Sequence, residues 1–384
     1  MTQNMNLNSE LELFRDTVVR FLKEQVQPHY DAWEKAGIAP RALWNQMGEA
    51  GLLCVDAPEE YGGIGAPFEY SCVVLEEVGR MGFGAMAANL AVHSDIVCPY
   101  VVHLGTEEQK KKYIPKLVSG EMVGAICMTE PGAGSDLQGI KTTATADGDD
   151  YVINGQKTFI TNGQHAELLV LFAKTDPKAG AKGTTLLLVE SSTPGFARGR
   201  NLEKIGQHMG DTSELFFSNA RVPASAVLGR PGNGFGHLVD ELPRERLTLA
   251  VHAVSAAEGA LALTVDYVRS RKAFGTTVAA FQNTRFELAD IKTDIEVNKA
   301  FVQHCARLYA QGKLDAPTGA MVKLACTEMQ FRVADRCLQL FGGYGYMSEY
   351  PISRYFADAR VQRIYGGTSE IMKEVIARSL VGRG

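Results

Sequence analysis

The chain has 384 residues, of which 45% are hydrophobic and 22% are charged, and it contains 39 Gly and 14 Pro. This length and composition predict about two to three globular domains and exclude a fibrous repeat or a disordered chain. The net charge of -5 excludes a nucleic-acid coat and a polybasic membrane surface, since both need an excess of Lys and Arg.

Cysteine spacing and the N-terminal residues indicate the compartment. The seven Cys are scattered and form no Cys-x-x-Cys pair, which excludes a disulfide framework and a zinc knuckle and favours a reducing environment. The first residues show no signal or transit pattern, and no apolar run approaches the ~18–20 residues of a membrane span. We therefore expect a cytoplasmic protein without a membrane span, or a mitochondrial matrix protein if a presequence has been removed.

The first third of the chain predicts an α-helical domain over 1–123. Ser9 and Glu12 form a capping-box pattern, which predicts that the first helix starts there and continues with apolar residues at helical spacing. A glycine-rich break spans Pro58–Pro67, and helical patterning returns from Phe68 onward.

The pattern changes to strands over 124–235. Short runs rich in β-branched and aromatic residues are separated by Gly, Asn and Asp, which predicts a small antiparallel barrel or sandwich and not a parallel sheet. We therefore expect a β domain in the middle of the chain.

The last part, 236–384, predicts an α-helical bundle. Long amphipathic stretches and a shorter final one are typical of a four-helix bundle with short links, and they cover about 238–272, 280–311, 315–341 and the residues after Thr368. The whole chain is thus predicted to be mainly α with a central β domain.

Common cofactor and catalytic motifs are missing, including Gly-x-Gly-x-x-Gly, the P-loop, metal-ligand spacings such as His-Glu-x-x-His, and the Gly-x-Ser-x-Gly elbow. The segment Cys127–Asp136 does carry chemistry. Its glycines let the backbone approach a planar or anionic ligand, and Thr129 and Ser135 offer hydroxyls. On local chemistry alone, a tight interdomain turn is an equal alternative.

Two segments, Cys127–Asp136 and Lys157–Gly163, together resemble the flavin-binding signature of the acyl-CoA dehydrogenases. Five further motifs stand in the order of that family: Tyr61–Gly65, Asp211–Thr212, Arg271–Gly275, Gln339–Gly345 and Ile364–Ile371. The resemblance covers nearly the whole chain and is strongest to the long-chain and isovaleryl branch. It implies an α domain, a β domain and an α domain, usually assembled as a homotetramer.

The resemblance implies FAD between the β domain and the C-terminal bundle. Thr129 matches the position that bonds the pyrimidine edge of the flavin, and Thr161 matches the position beside N5. Phe159 matches an aromatic against the ring, with a core strand aromatic as the alternative. Arg271 matches the cation at the pyrophosphate of a neighbouring subunit, with a solvated helix-end residue as the alternative. The implied cofactor-binding set is Cys127, Met128, Thr129, Gly134, Ser135, Phe159, Ile160, Thr161, Arg271, Phe274, Gln282, Gln339, Gly342, Gly343, Thr368 and Glu370.

The base of the reaction departs from the commoner family pattern. Dehydrogenation at Cα–Cβ of an acyl thioester needs a carboxylate that removes the α-proton while the β-hydrogen leaves as hydride. Many family members carry this Glu near the C terminus, where this chain has Gly366. The segment Glu241–Leu247 resembles the long-chain branch and puts Glu245 on that branch's base position, with Glu241 in reserve. A surface Glu in the first helical turn after Pro243 is the alternative.

The implied activity is FAD-dependent α,β-dehydrogenation of an acyl-CoA to trans-2-enoyl-CoA, with electrons passed to an electron-transferring flavoprotein. The relocated base and the small residues at 366 and 367 favour long or branched acyl chains, with apolar lining around Met86–Val101. An acyl-CoA oxidase of the same fold and a non-catalytic acyl-CoA-binding relative stay open as alternatives. Substrate-contacting positions are implied for Ser135, Arg246, Gly366 and Gly367.

Overall fold

The computed structural model describes residues 2–382, with side chains from residue 9 onward. The chain forms a helical N-terminal part, a central β-sheet part and a helical C-terminal part, which confirms the predicted fold class. We keep 1–123, 124–235 and 236–384 as proposed domain boundaries.

The N-terminal part is built from short helices joined by tight turns. Within the described residues its α-helices are α1 (Thr2–Phe21), α2 (Tyr30–Ala36), α3 (Ala42–Glu49), α4 (Phe68–Arg80), α5 (Gly84–Leu90), α6 (Cys98–Leu104) and α7 (Glu107–Val118). A π-helical segment, Ala91–Val97, joins α5 to α6 and makes one continuous helical stretch.

The predicted start of the first helix is wrong. Helix α1 begins at Thr2, so Ser9 lies inside the helix and does not cap it. The apolar face predicted to follow is confirmed, because Val18, Phe21 and Leu22 are buried in the core.

Two helical stretches are long and apolar enough to cross a membrane by length and composition, contrary to the sequence expectation. They are Gly84–Leu104, of which 78% of the apolar window is buried, and Gly234–Ser270, with 67% buried. Burial of this extent is typical of core helices, since their apolar side chains already contact other parts of the protein.

The central part is a mixed sheet. Its strands are β1 (Gly124–Cys127), β2 (Thr143–Asp147), β3 (Asp150–Thr161), β4 (Leu168–Lys174), β5 (Thr184–Glu190), β6 (Phe196–Asn201), β7 (Thr212–Pro223) and β8 (Val227–Leu228). The strand order is β6-β7-β3-β2-β4-β5-β8, with β1 beside β4. Most neighbours are antiparallel as predicted, but β1 pairs with β4 in parallel, and β2 meets β4 in parallel at Thr143 and Lys174. The expectation of an antiparallel sheet is therefore wrong at β1 and at the β2–β4 contact. Strands β2 and β3 lie between β1 and β4 in the chain, which leaves room for the crossover that a parallel pair needs.

The C-terminal part contains long helices packed side by side. The described residues form α8 (Gly234–Ser270), a small hairpin of β9 (Lys272–Ala273) and β10 (Thr276–Thr277), α9 (Gln282–Ala310), α10 (Ala316–Phe341), α11 (Pro351–Gln362) and α12 (Ser369–Val381). The three long helices and the final one match the prediction. Helix α11 was not predicted, because the Gly-rich turn before it hid its short amphipathic pattern.

Helix α8 joins the N-terminal and C-terminal parts. Its residues share one apolar core with Phe68 and Leu75 of α4. A buried ion-pair network also anchors it, since Arg244 contacts Asp56 at 2.6 Å and Asp95 at 3.2 Å. Asp56 and Asp95 together raise the pKa of Arg244 against the effect of burial, so the guanidinium stays charged. This anchor fixes the helix immediately before Glu245.

Candidate active site

The glycine-rich segment after β1 is held to the bulged strand β3. Thr158 N–H donates to the carbonyl of Thr129 at 2.9 Å, and Glu130 and Ala133 form an isolated β-bridge. An added Cβ at Gly132 or Gly134 would meet nothing within 4 Å, so the segment borders open space. These features give the segment an accessible backbone on one side and a fixed strand on the other.

A buried ion pair between Lys157 and Glu130 holds the glycine-rich segment in place. Lys157 Nζ lies 2.9 Å from Glu130 Oε1 and donates to the carbonyl of Met128 at 2.9 Å, with the Lys157 side chain fully buried. Glu130 also accepts from the backbone N–H of Thr142 at 3.0 Å. Burial alone would raise the pKa of Glu130, but Lys157 and these hydrogen bonds lower it on balance, so the carboxylate is charged. Lys157 and Glu130 thus hold the backbone on both sides of Thr129.

Phe159 is presented to solvent by a β-bulge. The pairing of β3 with β7 shifts register between Lys157 and Ile160, and Phe159 adopts φ +58° at that point. Its side chain is 66% exposed while Ile160 is buried, so the alternative of a core strand aromatic is wrong. A left-handed φ is costly for a non-glycine residue, and such strain is often found at functional sites, which makes the exposed Phe159 a candidate ligand contact. Thr161 follows on the same strand and is partly buried.

The Cys127 side chain faces the core of the sheet. It is fully buried in the core of the sheet, and burial raises the pKa of its thiol to about 12. Only its backbone, with that of Met128, borders the glycine-rich segment. Ser135 is exposed at the far end of the segment.

Glu245 lies inside α8 and not in a first helical turn after Pro243, so the surface alternative is wrong. It is 4% exposed, and Tyr100 Oη donates to its Oε1 at 3.0 Å. Burial raises the pKa of Glu245 to about 7; the hydrogen bond from Tyr100 and the charge of Arg246 act in the lowering direction, and Glu241 in the raising direction. A carboxylate with a pKa near neutrality is suited to general-base chemistry.

Glu241, one helical turn earlier, has a different environment. Its Oε1 pairs with His103 Nδ1 at 2.8 Å, and the His103 side chain is 45% exposed. The two carboxylates are therefore distinguished by their partners, one facing a buried tyrosine and the other a partly solvated histidine.

The turn at Gly366 and Gly367 packs against α8 on the side of Glu245. Both glycines have left-handed φ values, +64° and +94°, and a Cβ at 366 would lie 2.5 Å from Leu249 Cδ1. Leu249 is four residues after Glu245 and so shares its face of the helix. Position 366 therefore lies against the face of α8 that carries Glu245, although the two positions are far apart in sequence.

Two buried cations surround this turn. Lys323 Nζ donates to the carbonyl of Gly367 at 2.8 Å, and Arg246 Nη2 lies 3.8 Å from the place of a Cβ at Gly367. Burial and then Arg246 lower the pKa of Lys323 to about 8. Arg246 is 4% exposed, and its Nε finds no hydrogen-bond acceptor within the described residues. The Nε atoms of Arg354 and Arg363 also lack an acceptor among the described residues, and at Arg246 this leaves one donor free for a ligand beside the turn.

The remaining predicted cofactor residues of the C-terminal part gather on its surface. Arg271 is the C-cap residue of α8. Its Cζ lies 5.1 Å from the centroid of the Tyr344 ring, so it contacts the turn after α10. Phe274 is 95% exposed and touches Phe281 at 6.2 Å between ring centroids. The exposed members of this group are Arg271, Phe274, Gln282, Gln339, Gly342 and Gly343.

Thr368 and Glu370 belong to the start of α12. Thr368 Oγ1 accepts from the N–H of Ile371 at 3.3 Å and so caps the helix, while Glu370 is exposed in the first turn. Thr368 thus has a structural capping role whether or not a ligand binds there, and the charge of Glu370 favours the N-terminal end of the helix dipole.

Three residues with clear contacts were missed by the sequence analysis. Tyr100, Lys323 and Lys157 carried no assigned role, although Lys157 stands in a quoted motif. The signal for Tyr100 was a phenol within the apolar run Ile96–Val102, a place where a hydroxyl needs a buried partner.

Comparison with known proteins identifies the family. Three family models match: the acyl-CoA dehydrogenase N-terminal domain over 8–121, the middle domain over 125–220 and the C-terminal domain over 232–381. The long-chain specific acyl-CoA dehydrogenase of Sus scrofa is 48% identical over 97% of this chain and 87% of its own length. The isovaleryl-CoA dehydrogenase of Oryza sativa is 40% identical over 96% and 90%.

Solved structures agree with this result. The acyl-CoA dehydrogenase of Geobacillus kaustophilus has a TM-score of 0.94 and 50% identity, covering 97% of this chain and 98% of its own. Members of the family depend on FAD, and one structural neighbour was solved in complex with FADH2. From its domains, its fold and its relatives, this chain belongs to the acyl-CoA dehydrogenase family and is an acyl-CoA-dehydrogenating enzyme.

Proposed function

We propose that the protein catalyses FAD-dependent α,β-dehydrogenation of an acyl-CoA thioester to trans-2-enoyl-CoA, with Glu245 as the base. The observation that carries the proposal is a buried carboxylate, with its pKa raised to about 7, on the helix face that meets Gly366. The family resemblance puts the commoner base at position 366, where this chain has glycine, so Glu245 offers the carboxylate from α8 instead. Oε2 of Glu245, the oxygen not bonded to Tyr100, would take the α-proton.

The thioester carbonyl would lie at the turn of Gly366 and Gly367. Gly366 keeps a backbone N–H that can donate to the carbonyl oxygen as the α-carbon loses its proton, an oxyanion-type stabilisation. Lys323 fixes the turn through the carbonyl of Gly367. The unsatisfied Nε of Arg246 adds a donor for substrate, and Ser135 at the end of the glycine-rich segment is the further proposed contact.

The described residues fit a planar flavin at the glycine-rich segment. Open space beside Gly132 and Gly134, the exposed Phe159 and the fixed backbone at Thr129 support a flavin ring in this place. FAD, when bound there, supplies the acceptor for the β-hydrogen as hydride. We assign the ring-side contacts to Cys127, Met128, Thr129, Gly134, Ser135, Phe159, Ile160 and Thr161.

The outer half of the cofactor would be held by the exposed C-terminal group, with a second subunit contributing. Arg271 offers a cation for the pyrophosphate, and the exposed Phe274 offers apolar surface. Their exposure on one chain supports shared binding in a homotetramer. The proposed set is Arg271, Phe274, Gln282, Gln339, Gly342, Gly343, Thr368 and Glu370.

We further propose a long-chain or branched acyl substrate and an electron-transferring flavoprotein as the acceptor. The names of the two relatives, one long-chain specific and one for isovaleryl-CoA, support this range. The proposed place of action is the cytoplasm or the mitochondrial matrix, and the word mitochondrial in both relatives' names supports the second.

The test is anaerobic mixing of the FAD-loaded protein with a panel that includes palmitoyl-CoA, butyryl-CoA and isovaleryl-CoA. We expect the wild type to bleach with at least one long or branched substrate, and Glu245→Gln to bind it with a spectral shift but without bleaching. Glu241→Gln is the matched control and should still bleach.

Other outcomes would contradict the proposal. A wild type that shifts its spectrum without bleaching would be a binding protein. Peroxide formed with acyl-CoA in air, at the rate of turnover and without another acceptor, would make it an oxidase. Normal bleaching by Glu245→Gln would remove Glu245 as the base.

A further inference from the structure

Two side chains of α6 face two carboxylates of α8. Tyr100 donates to Glu245 Oε1 at 3.0 Å, and His103 pairs with Glu241 Oε1 at 2.8 Å. Tyr100 and His103 are three residues apart on α6, while Glu241 and Glu245 are four apart on α8, so each pair shares one helix face. These two side-chain contacts join a helix of the N-terminal part to a helix of the C-terminal part.

The contact between Tyr100 and Glu245 is buried, whereas the contact between His103 and Glu241 is partly exposed to solvent. Tyr100 is fully buried and Glu245 is 4% exposed, whereas His103 is near the surface. Burial, and after it the charge of Glu245, raises the pKa of Tyr100 well above its ordinary value, so the phenol keeps its proton and donates it in the hydrogen bond to Glu245.

We infer that Tyr100 is a positioning residue for the base: its hydroxyl holds one carboxylate oxygen of Glu245 and leaves the other to accept the α-proton of the substrate. The inference rests on the proposed function, in which Glu245 is the base. A buried glutamate has several rotamers, and a bond from a rigid neighbouring helix selects one of them. Fixed geometry matters because proton transfer needs hydrogen-bond reach between base and substrate.

The contact between His103 and Glu241 gives the two carboxylates different partners. His103, whose side chain is 45% exposed, binds one oxygen of Glu241, whose side chain is 13% exposed. The charged and titratable groups that face Glu245 are Tyr100, Glu241 and Arg246, and of these Tyr100 and Arg246 stabilise its charged form while Glu241 destabilises it. Asp240 and Glu241 also face Tyr100 and favour its protonated state.

The experiment is Tyr100→Phe in the FAD-loaded enzyme, with flavin reduction by palmitoyl-CoA or isovaleryl-CoA, whichever the wild type accepts, followed across pH. Loss of a hydrogen bond to a charged group should move the acid limb of the rate upward by about one to two pH units. The rate at neutral pH then falls by about fivefold or more, since less of the base is ionised. Binding of the acyl-CoA, measured by its spectral shift, should change little.

Tyr113→Phe is the matched control. Tyr113 is also buried and donates to a carboxylate, Glu190 Oε1 at 3.0 Å, but that carboxylate is partly exposed and lies on β5 and not on α8. It should leave the acid limb in place. A second variant keeps the test decisive if Tyr100→Phe fails to fold: 3-fluorotyrosine at position 100 has a more acidic hydroxyl, donates more strongly and should move the acid limb to lower pH.

The results separate this inference from the proposed function. An unmoved acid limb and rate in Tyr100→Phe, with Glu245→Gln inactive, would overturn the role of Tyr100 and leave Glu245 as the base. An unmoved limb with fluorotyrosine would overturn it as well. Full activity of Glu245→Gln would overturn both, because Tyr100 would then have no base to position.

Discussion

The buried pair of Lys157 and Glu130 gives a sharp prediction about the flavin site. Lys157→Met removes the cation and leaves the Glu130 carboxylate 6% exposed with only backbone donors. Breaking a buried ion pair by removing one partner costs about 3–5 kcal/mol. We expect the lower part of this range, because the N–H of Thr142 still donates to Glu130. The carbonyl of Met128 also loses its donor, so FAD should bind more weakly.

The assay combines unfolding and cofactor binding. Denaturant unfolding of the apoprotein gives the loss of stability, and quenching of flavin fluorescence gives the Kd for FAD. Lys292→Met is the matched control, because it removes the same atoms from an exposed pair with Glu296 and should change little. The double variant Lys157→Met with Glu130→Gln should be less destabilised than the sum of the two single variants, since no charge is left buried without its partner.

Two results would refute this reasoning. If Lys157→Met unfolded like Lys292→Met, the buried pair would contribute nothing to stability. If it were destabilised but bound FAD with unchanged affinity, the pair would not position the backbone at Thr129.

Further predictions concern the substrate turn and pH. Gly366→Ala should lower the midpoint of thermal unfolding, because a left-handed φ costs a residue with Cβ about 1–2 kcal/mol and its Cβ would meet Leu249; combining it with Leu249→Ala should show favourable coupling in a double-mutant cycle. Lys323→Met should weaken acyl-CoA binding in anaerobic titration, since the freed carbonyl of Gly367 costs about 1–3 kcal/mol. Burial lowers the pKa of His252 to about 4, so the unfolded chain binds more protons between pH 4 and 6.5 and stability is lost as the pH falls through that window. His252→Gln should flatten this pH dependence, by about 3 kcal/mol at most, in urea unfolding at several pH values.

The sequence predicted what depends on near neighbours. Helical spacing predicted α8, α9 and α10, because apolar residues at that period must share one face. Runs of β-branched residues predicted the strands for the same local reason. Two of the failures are also local: Ser9 can cap a helix or continue one, and the short α11 was masked by the glycines before it.

The sequence could also point to the site, because Gly366 lacks the usual carboxylate and Glu245 stands at the alternative position. It could not show how Glu245 is used. Its partner Tyr100 is 145 residues away in the chain, and no periodicity connects residues that far apart.

What the chain decides alone is its set of helices and strands and the types of chemical group it carries, since both follow from residue identity and short-range sterics. Tertiary packing decided the rest: the parallel placement of β1, the exposure of Phe159 and the burial that brings the pKa of Glu245 to about 7. The physical reason is that proton affinity depends on the solvent and charges around a group, and only the fold determines which atoms surround it.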